Sequence, residues 1–319
     1  MIMILRLGQI ELYVTNLRES EKFYVDTLGF IKVNKTKESL YLKATDEFDI
    51  YTLILTQKEE AALASFSLRV SSEAYLDELQ EKHEKMSIET EMIESSHPGR
   101  GRTLRVAEPS GHPVEFYHHM QQVDVGQGAP GVEKLPMRNT HKFNGIPPVS
   151  IDHMNLRVTD VDKAWEYWES IGFSISEYVQ NGDEKFAAWT RAKASTHDVA
   201  LVKQEETALH HIAYIVDGVA GVVRTADILA DAGYRDAVEY GPGRHGVTNA
   251  FFLYVRDPDG HRIEIYSGDY NRDTDLPPIG WTKEDYDSNG RLWWGPAVPE
   301  RFFETTPINK DWLKPKINN

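Results

Sequence analysis

The chain has 319 residues, 40% of them hydrophobic, with Lys+Arg 35 against Asp+Glu 50. That length predicts two domains with cores of their own, and a net charge of −15 repels nucleic acid and anionic membrane surfaces, so neither is expected as a partner. The absence of cysteine excludes disulfides, thiolate metal sites and cysteine nucleophiles, leaving His and carboxylate as metal ligands.

The opening MIMILRLGQIELYV alternates like a strand and lacks the basic start and long apolar run of an export signal. No stretch reaches membrane-spanning length, so a cytoplasmic location is expected. A helix is predicted from Asn16 to Leu28, stopped by Gly29, with several strands after it. The same order begins again at Leu63 and ends in EPSGHPVEFY, residues 108–117. Residues 119–150 hold Gly and Pro at close intervals without a sustained period and read as a linker after an N-terminal domain of residues 1–118. The second half, 151–268, repeats the pattern: a strand from Ile151, then a helix capped by Asp160 with Val161, Ala164, Trp165, Trp168 and Ile171 on one face and Gly172 as its stop. A further module starts at Leu209 and closes with DPDGHRIEIY, residues 257–266, where DPDG has the preferences of a type I turn. An aperiodic tail, 269–319, follows. The expected fold is α+β, with four strand–helix–strands modules paired into two domains and a C-terminal tail.

Such a repeat lets each copy serve as a control for the other. Strand alternation puts His153, Asn155 and Arg157 on one face and Met154, Leu156 and Val158 on the packing face; Glu264 falls on the polar face of its strand beside Ile263 and Ile265. LHHIAYIV offers both His210 and His211. Aligned with LASFSLRV, His210 corresponds to Ala64, a packing position, and His211 to Ser65, so His211 is assigned to the cleft and His210 to a half-buried packing site. Three strands then direct His153, His211 and Glu264 to one surface, where the first copy has Gln9, Ser65 and Glu115. Two imidazoles and a carboxylate are the set that holds non-haem Fe(II) and leaves positions open for other ligands. Separations of 58 and 53 residues match no short metal motif, and a single His among 12 is more often a surface or core residue; the equivalent placement of all three carries the assignment.

IDHMNL, AAWTR followed by STHDVAL, LHHIAYIV, GPGRHGVTNAFFLYVRDPDGHRIEIY and RLWWGP together resemble the type I extradiol ring-cleaving dioxygenases of the vicinal oxygen chelate superfamily, most strongly the catechol 2,3-dioxygenase and homoprotocatechuate 2,3-dioxygenase branches. The resemblance runs from the first strand to about Pro299. It implies paired βαβββ modules, Fe(II) or in some members Mn(II) in the C-terminal domain alone, a catechol and O2 as small-molecule partners, and a homo-oligomer, with a tetramer favoured.

It also assigns roles. His197 matches an acid/base histidine, with Ile50 as its first-copy counterpart, against the plainer reading that it ends a strand. Tyr254, whose counterpart is Arg105, and His245 match positions that hydrogen-bond the substrate oxygens; Asn155 helps position dioxygen or a ligand. Trp189 lines the pocket or is a core aromatic. In the arylacetate-cleaving branch an arginine of the substrate-carboxylate clamp stands where this chain has Tyr240, while Arg291 matches a second clamp position or anchors the tail. The expected substrate is therefore catechol or an alkylcatechol, ahead of 3,4-dihydroxyphenylacetate or 2,3-dihydroxybiphenyl. Trp293, Trp294, Phe302 and Phe303 read as an apolar lid over the cleft or as an oligomer contact. A glyoxalase-like isomerase or lyase commonly draws ligands from two modules that span chains, and a non-catalytic binding protein of this fold typically lacks the triad.

Overall fold

A computed structural model describes residues 3–123, 145–270 and 276–312; most of the expected linker, 124–144, and the tail segments 271–275 and 313–319 lie outside the described residues. The first half contains β1 (Ile4–Val14), α1 (Leu17–Glu21), β2 (Ile31–Lys35), β3 (Ser39–Lys43) and β4 (Leu53–Gln57), then β5 (Ala62–Val70), α2 (Glu73–Lys85), β6 (Thr90–Ile93), β7 (Thr103–Ala107) and β8 (Pro113–Tyr117). The second contains β9 (Ser150–Val158), α3 (Val161–Ser170), β10 (Ser174–Asn181), β11 (Glu184–Arg191) and β12 (Val199–Lys203), then β13 (Ala208–Ile215), α4 (Gly218–Asp231), β14 (Val238–Arg244), β15 (Phe251–Arg256) and β16 (Arg262–Ser267). These are four βαβββ modules, two to a sheet. The sheets run β2-β3-β4-β1-β5-β8-β7-β6 and β14-β15-β16-β13-β9-β12-β11-β10, the latter extended by the tail strand β17 (Ile279–Thr282) beside β10.

Local chemistry sets the elements. Asp160 accepts the Lys163 amide at 3.0 Å and starts α3; Gly172, at φ +105°, ends it in a conformation that glycine adopts without strain. Asn16 caps α1 in the same way. The first copy has one residue more between cap and stop glycine, and the helix absorbs it by widening into a π turn at Lys22–Thr27. In the DPDG turn the Asp257 carbonyl accepts the Gly260 amide at 3.0 Å while its carboxylate accepts the amides of Asp259 and His261, delivering the chain into β16.

Met154, Leu156 and Val158 are buried in a core that continues through both halves, with the Phe66 and Trp168 rings stacked across the junction at 6.3 Å. The tail is held by backbone pairing: Thr306 exchanges hydrogen bonds with Leu209, and Leu63 with Pro307 and Asn309, tying β13 and β5 to one segment.

Candidate metal centre

The central strands β9, β13 and β16 pair so that Ala213 lies opposite both His153 and Glu264, and Asn155 opposite His211. His153 Nε2 and His211 Nε2 each come to 3.1 Å from Glu264 Oε2, and one ligand atom from each residue lies within 4.8 Å of the others. Among the described residues this is the one group of three His, Asp or Glu side chains arranged to hold an ion.

Partners behind the rings set their tautomers. His153 Nδ1 lies 2.9 Å from the Asp152 carboxylate and donates to it, which turns the Nε2 lone pair toward Glu264. His211 Nδ1 lies 2.7 Å from His210 Nδ1, and His210 Nε2 is 2.8 Å from the Phe302 carbonyl. Because a carbonyl only accepts, His210 carries its proton on Nε2 and receives one from His211 Nδ1, leaving His211 Nε2 bare. Two bare nitrogens facing a carboxylate need a cation between them, and two neutral imidazoles with one carboxylate suit Fe(II) or Mn(II). Without one, the site draws protons. Burial alone would lower the His153 pKa, but the Asp152 and Glu264 carboxylates outweigh it and raise it to about 9. For His211 burial prevails and the value falls to about 4. Glu264, which burial would raise, is held well below its usual range by the histidines around it.

His210 corrects the sequence reading. It is 2% exposed and borders the cavity instead of sitting half-buried on the packing face. The register between β13 and β9 slips between Leu209 and His211, so His210 is the extra residue of a β-bulge and alternation fails there. The same slip recurs around Ala64 in the first copy.

That first copy keeps the frame and replaces the ion. Gln9, Ser65 and Glu115 occupy the positions equivalent to the ligands. Arg100 is buried between Gln9 Oε1, at 2.7 Å, and Glu115 Oε2, while Arg105 binds the other Glu115 oxygen at 3.0 Å. Burial opposes the Glu115 charge, yet the Arg100, His97 and Arg105 charges lower its pKa. A fixed guanidinium supplies the positive charge that a metal would.

A cavity of about 320 Å3 opens beside the triad and is lined by the expected His197, Tyr254, His245, Asn155, Trp189 and Arg291. His197 packs on His153 with ring centroids 3.9 Å apart, and burial followed by the His153 charge pushes its pKa well down. Thr196 donates its hydroxyl to Asp269 and accepts from His197 Nδ1 at 2.9 Å, which frees His197 Nε2 to take a proton. The residue equivalent to His197 in register is Tyr51, not the expected Ile50, so the fold still requires no histidine there. His245 donates from Nδ1 to the Arg291 carbonyl and accepts the Tyr254 hydroxyl at Nε2, 3.0 Å away. Burial, reinforced by Glu264, holds the Tyr254 pKa well above its usual value and keeps it a donor. Asn155 Oδ1 is buried without a partner. Tyr240 is not brought to the cavity; it stacks behind Tyr254 at 5.9 Å, against Phe302. From the tail, Tyr286, Phe302 and Phe303 form cavity wall, whereas Trp293 and Trp294 are exposed. Sequence reasoning missed Arg157 as a cavity residue, although its parity with His153 and Asn155 was the available signal.

The model for the Glyoxalase/Bleomycin resistance protein/Dioxygenase superfamily matches residues 6–116 and 150–265. The chain is 31% identical, over 92% of its length and 95% of the relative's, to the manganese-dependent 2,3-dihydroxybiphenyl 1,2-dioxygenase of Geobacillus genomosp. 3. It is 28% identical to the metapyrocatechase of Geobacillus stearothermophilus, covering 98% of this chain and 97% of that one. Among solved structures, homoprotocatechuate 2,3-dioxygenase from Brevibacterium fuscum, in an anaerobic complex with 3,4-dihydroxyphenylacetate, superposes with a TM-score of 0.88 at 33% identity, covering 96% of this chain and 93% of that one. With both halves matched and the relatives covered nearly end to end, the chain belongs to the Glyoxalase/Bleomycin resistance protein/Dioxygenase superfamily, in its extradiol ring-cleaving dioxygenase branch.

Proposed function

We propose that this chain cleaves a catechol ring at the carbon–carbon bond next to the diol, placing both atoms of O2 in a 2-hydroxymuconic semialdehyde-type product. The observation that carries the reading is the buried His153, His211 and Glu264 cluster with a histidine and a tyrosine poised at its open side. Fe(II), or Mn(II), held there would gather both vicinal oxygens and dioxygen on one cation. The chain's own residues do the rest. His197 Nε2 takes the proton of a catechol hydroxyl and returns it during ring opening, with Thr196 and Asp269 fixing its tautomer. Tyr254, whose single hydroxyl proton rests on His245 Nε2, turns it to a substrate oxygen on binding, and the orphaned Asn155 Oδ1 is available to a ligand. Trp189 and Phe302 exclude water from the ring. All three ligands come from one half, which sets this reading apart from a glyoxalase-like isomerase or lyase.

The cytoplasmic address remains part of this reading; among the described residues no helix is long and apolar enough to cross a membrane. So does a homo-oligomer, supported by Trp293, 63% exposed, beside Trp294 on the tail.

Protein loaded anaerobically with Fe(II), then given catechols and air, should form a yellow ring-opened product. His197→Phe should keep its metal and bind substrate while turning over at least about 100-fold more slowly. If loaded protein yields no ring-opened product from any catechol tried, the reading fails.

A further inference from the structure

The two ligand histidines are backed differently. His211 leans on the neutral His210 ring, whereas His153 Nδ1 donates to a carboxylate, that of Asp152, at 2.9 Å. A carboxylate behind an imidazole draws its proton and makes the other ring nitrogen a stronger electron donor. Here a cation stands behind the carboxylate in turn. Lys193 Nζ donates to the Asp152 carbonyl at 2.8 Å and to the Asp198 carboxylate at 3.0 Å, and it comes to 3.5 Å from the Asp152 carboxylate. That position is fixed from behind. Asp198 is fully buried and accepts the amides of Ala192, at 2.8 Å, and Lys193, at 3.2 Å, together with that of Leu7 in the first half, at 3.2 Å.

The repeat shows that packing does not demand this arrangement. The first-copy counterparts of Asp152 and Asp198 in register are Gly8 and Thr52, and a side chain at Gly8 would run into the Tyr117 hydroxyl. The half without the His–His–Glu set thus lacks both carboxylates that hold the lysine.

An ammonium at this place acts on the triad in two ways with one sign. It opposes any gain of positive charge at the ion site, and it blunts the pull of Asp152 on His153. Both resist oxidation of a bound ion. Dioxygen that meets Fe(II) without substrate can remove one electron from it, giving Fe(III) and superoxide, so a site that meets dioxygen at every turnover gains from such resistance. At an effective dielectric of about 20, a unit charge roughly 10 Å away shifts a one-electron equilibrium about tenfold.

We propose that Lys193 is a positioning residue that restrains electron release from His153 through Asp152 and so keeps iron in the site ferrous. The inference rests on the iron-binding reading of the triad and adds to it a residue that does not line the cavity.

The test is an anaerobic redox titration, with mediators, of the full chain loaded with Fe(II) and free of catechol, in which EPR follows high-spin Fe(III). Lys193→Met should lower the midpoint by at least about 59 mV, a tenfold shift toward Fe(III). Lys193→Arg, which keeps a positive charge between the two aspartates, should return the midpoint to that of the unaltered protein, and Asp152→Asn should raise it. A lysine that only braces its loop would lower the melting temperature of Lys193→Met and leave the midpoint in place. Lys193→Gln removes the same charge with less change in polarity, and reads the same shift if the methionine variant fails to fold. An unchanged midpoint in the neutral variants, or an equal fall in Lys193→Arg, overturns the proposal. The expected shift with no ring opening from any catechol would leave the role of Lys193 standing and sink the dioxygenase reading instead.

Discussion

Glu264 and Glu115 are the same carboxylate in the same strand position of two equivalent sheets, and they have opposite jobs. Glu264 faces two bare imidazole nitrogens that need a cation, whereas Glu115 is neutralised by Arg100 and Arg105. Glu264→Ala should therefore abolish retention of Fe(II) or Mn(II) after desalting, with little loss of fold, since it strands no buried charge: Asp152 still faces His153, and burial favours neutral His211. Glu115→Ala should retain the metal and lose stability, by about 3–5 kcal/mol, because it strands a buried guanidinium. Metal content per chain and the denaturant midpoint, measured on both variants, separate the two roles. Equal metal loss in both would refute the assignment of the metal to the second half.

Between residues and whole sheets lies the bulge in β13. It brings His210 to the cavity side, where one ring nitrogen faces a metal ligand and the other the carbonyl of Phe302. Arg262 locks that stretch of tail in place by donating to the carbonyls of Arg301 and Glu304 as well as to that of His210. The tail thus fixes the His211 tautomer through one intermediate ring. His210→Phe keeps the aromatic packing on Phe302 and removes the acceptor, so metal affinity should fall about 10- to 100-fold, read by chelator competition; an unchanged affinity would mean that His211 needs no such support. The bulge also marks where the sequence stopped being readable. Cap and stop residues located the ends of α3, alternation the buried Met154 row, and comparison of the copies the grouping of His153, His211 and Glu264 and the choice of His211, because each depends on local chemistry, local period or the repeat. Alternation failed at His210, since a bulge inserts a residue without any compositional sign, and it misaligned His197 by one position for want of a register. The tail escaped it as well, being held by backbone hydrogen bonds that impose no side-chain pattern. Arg157 was visible on the right face, but its lack of a partner is a property of the folded arrangement.

At the scale of the whole chain, the two halves are interlocked and not merely joined. Tyr24 donates to Asp257 at 2.9 Å, Thr15 binds Asp259, His261 donates to the Tyr13 carbonyl, and the His112 ring reaches the Ala208 carbonyl. The repeated turns, EPSG and DPDG, each sit against the opposite half, and the buried Glu47 accepts the Ile151 amide at 2.7 Å where β9, the strand of His153, begins. With a continuous core between the sheets and one tail segment paired to both, exposing either half strips apolar cover from the other. Metal binding in the second half should then stabilise the first. Calorimetry on the full chain should show a single unfolding transition that moves upward as a whole on loading, by about 2.7 kcal/mol of added stability at a free metal concentration of one hundred times Kd. Two transitions, with only one responding to the metal, would show that the halves unfold independently and that the contacts between them contribute little.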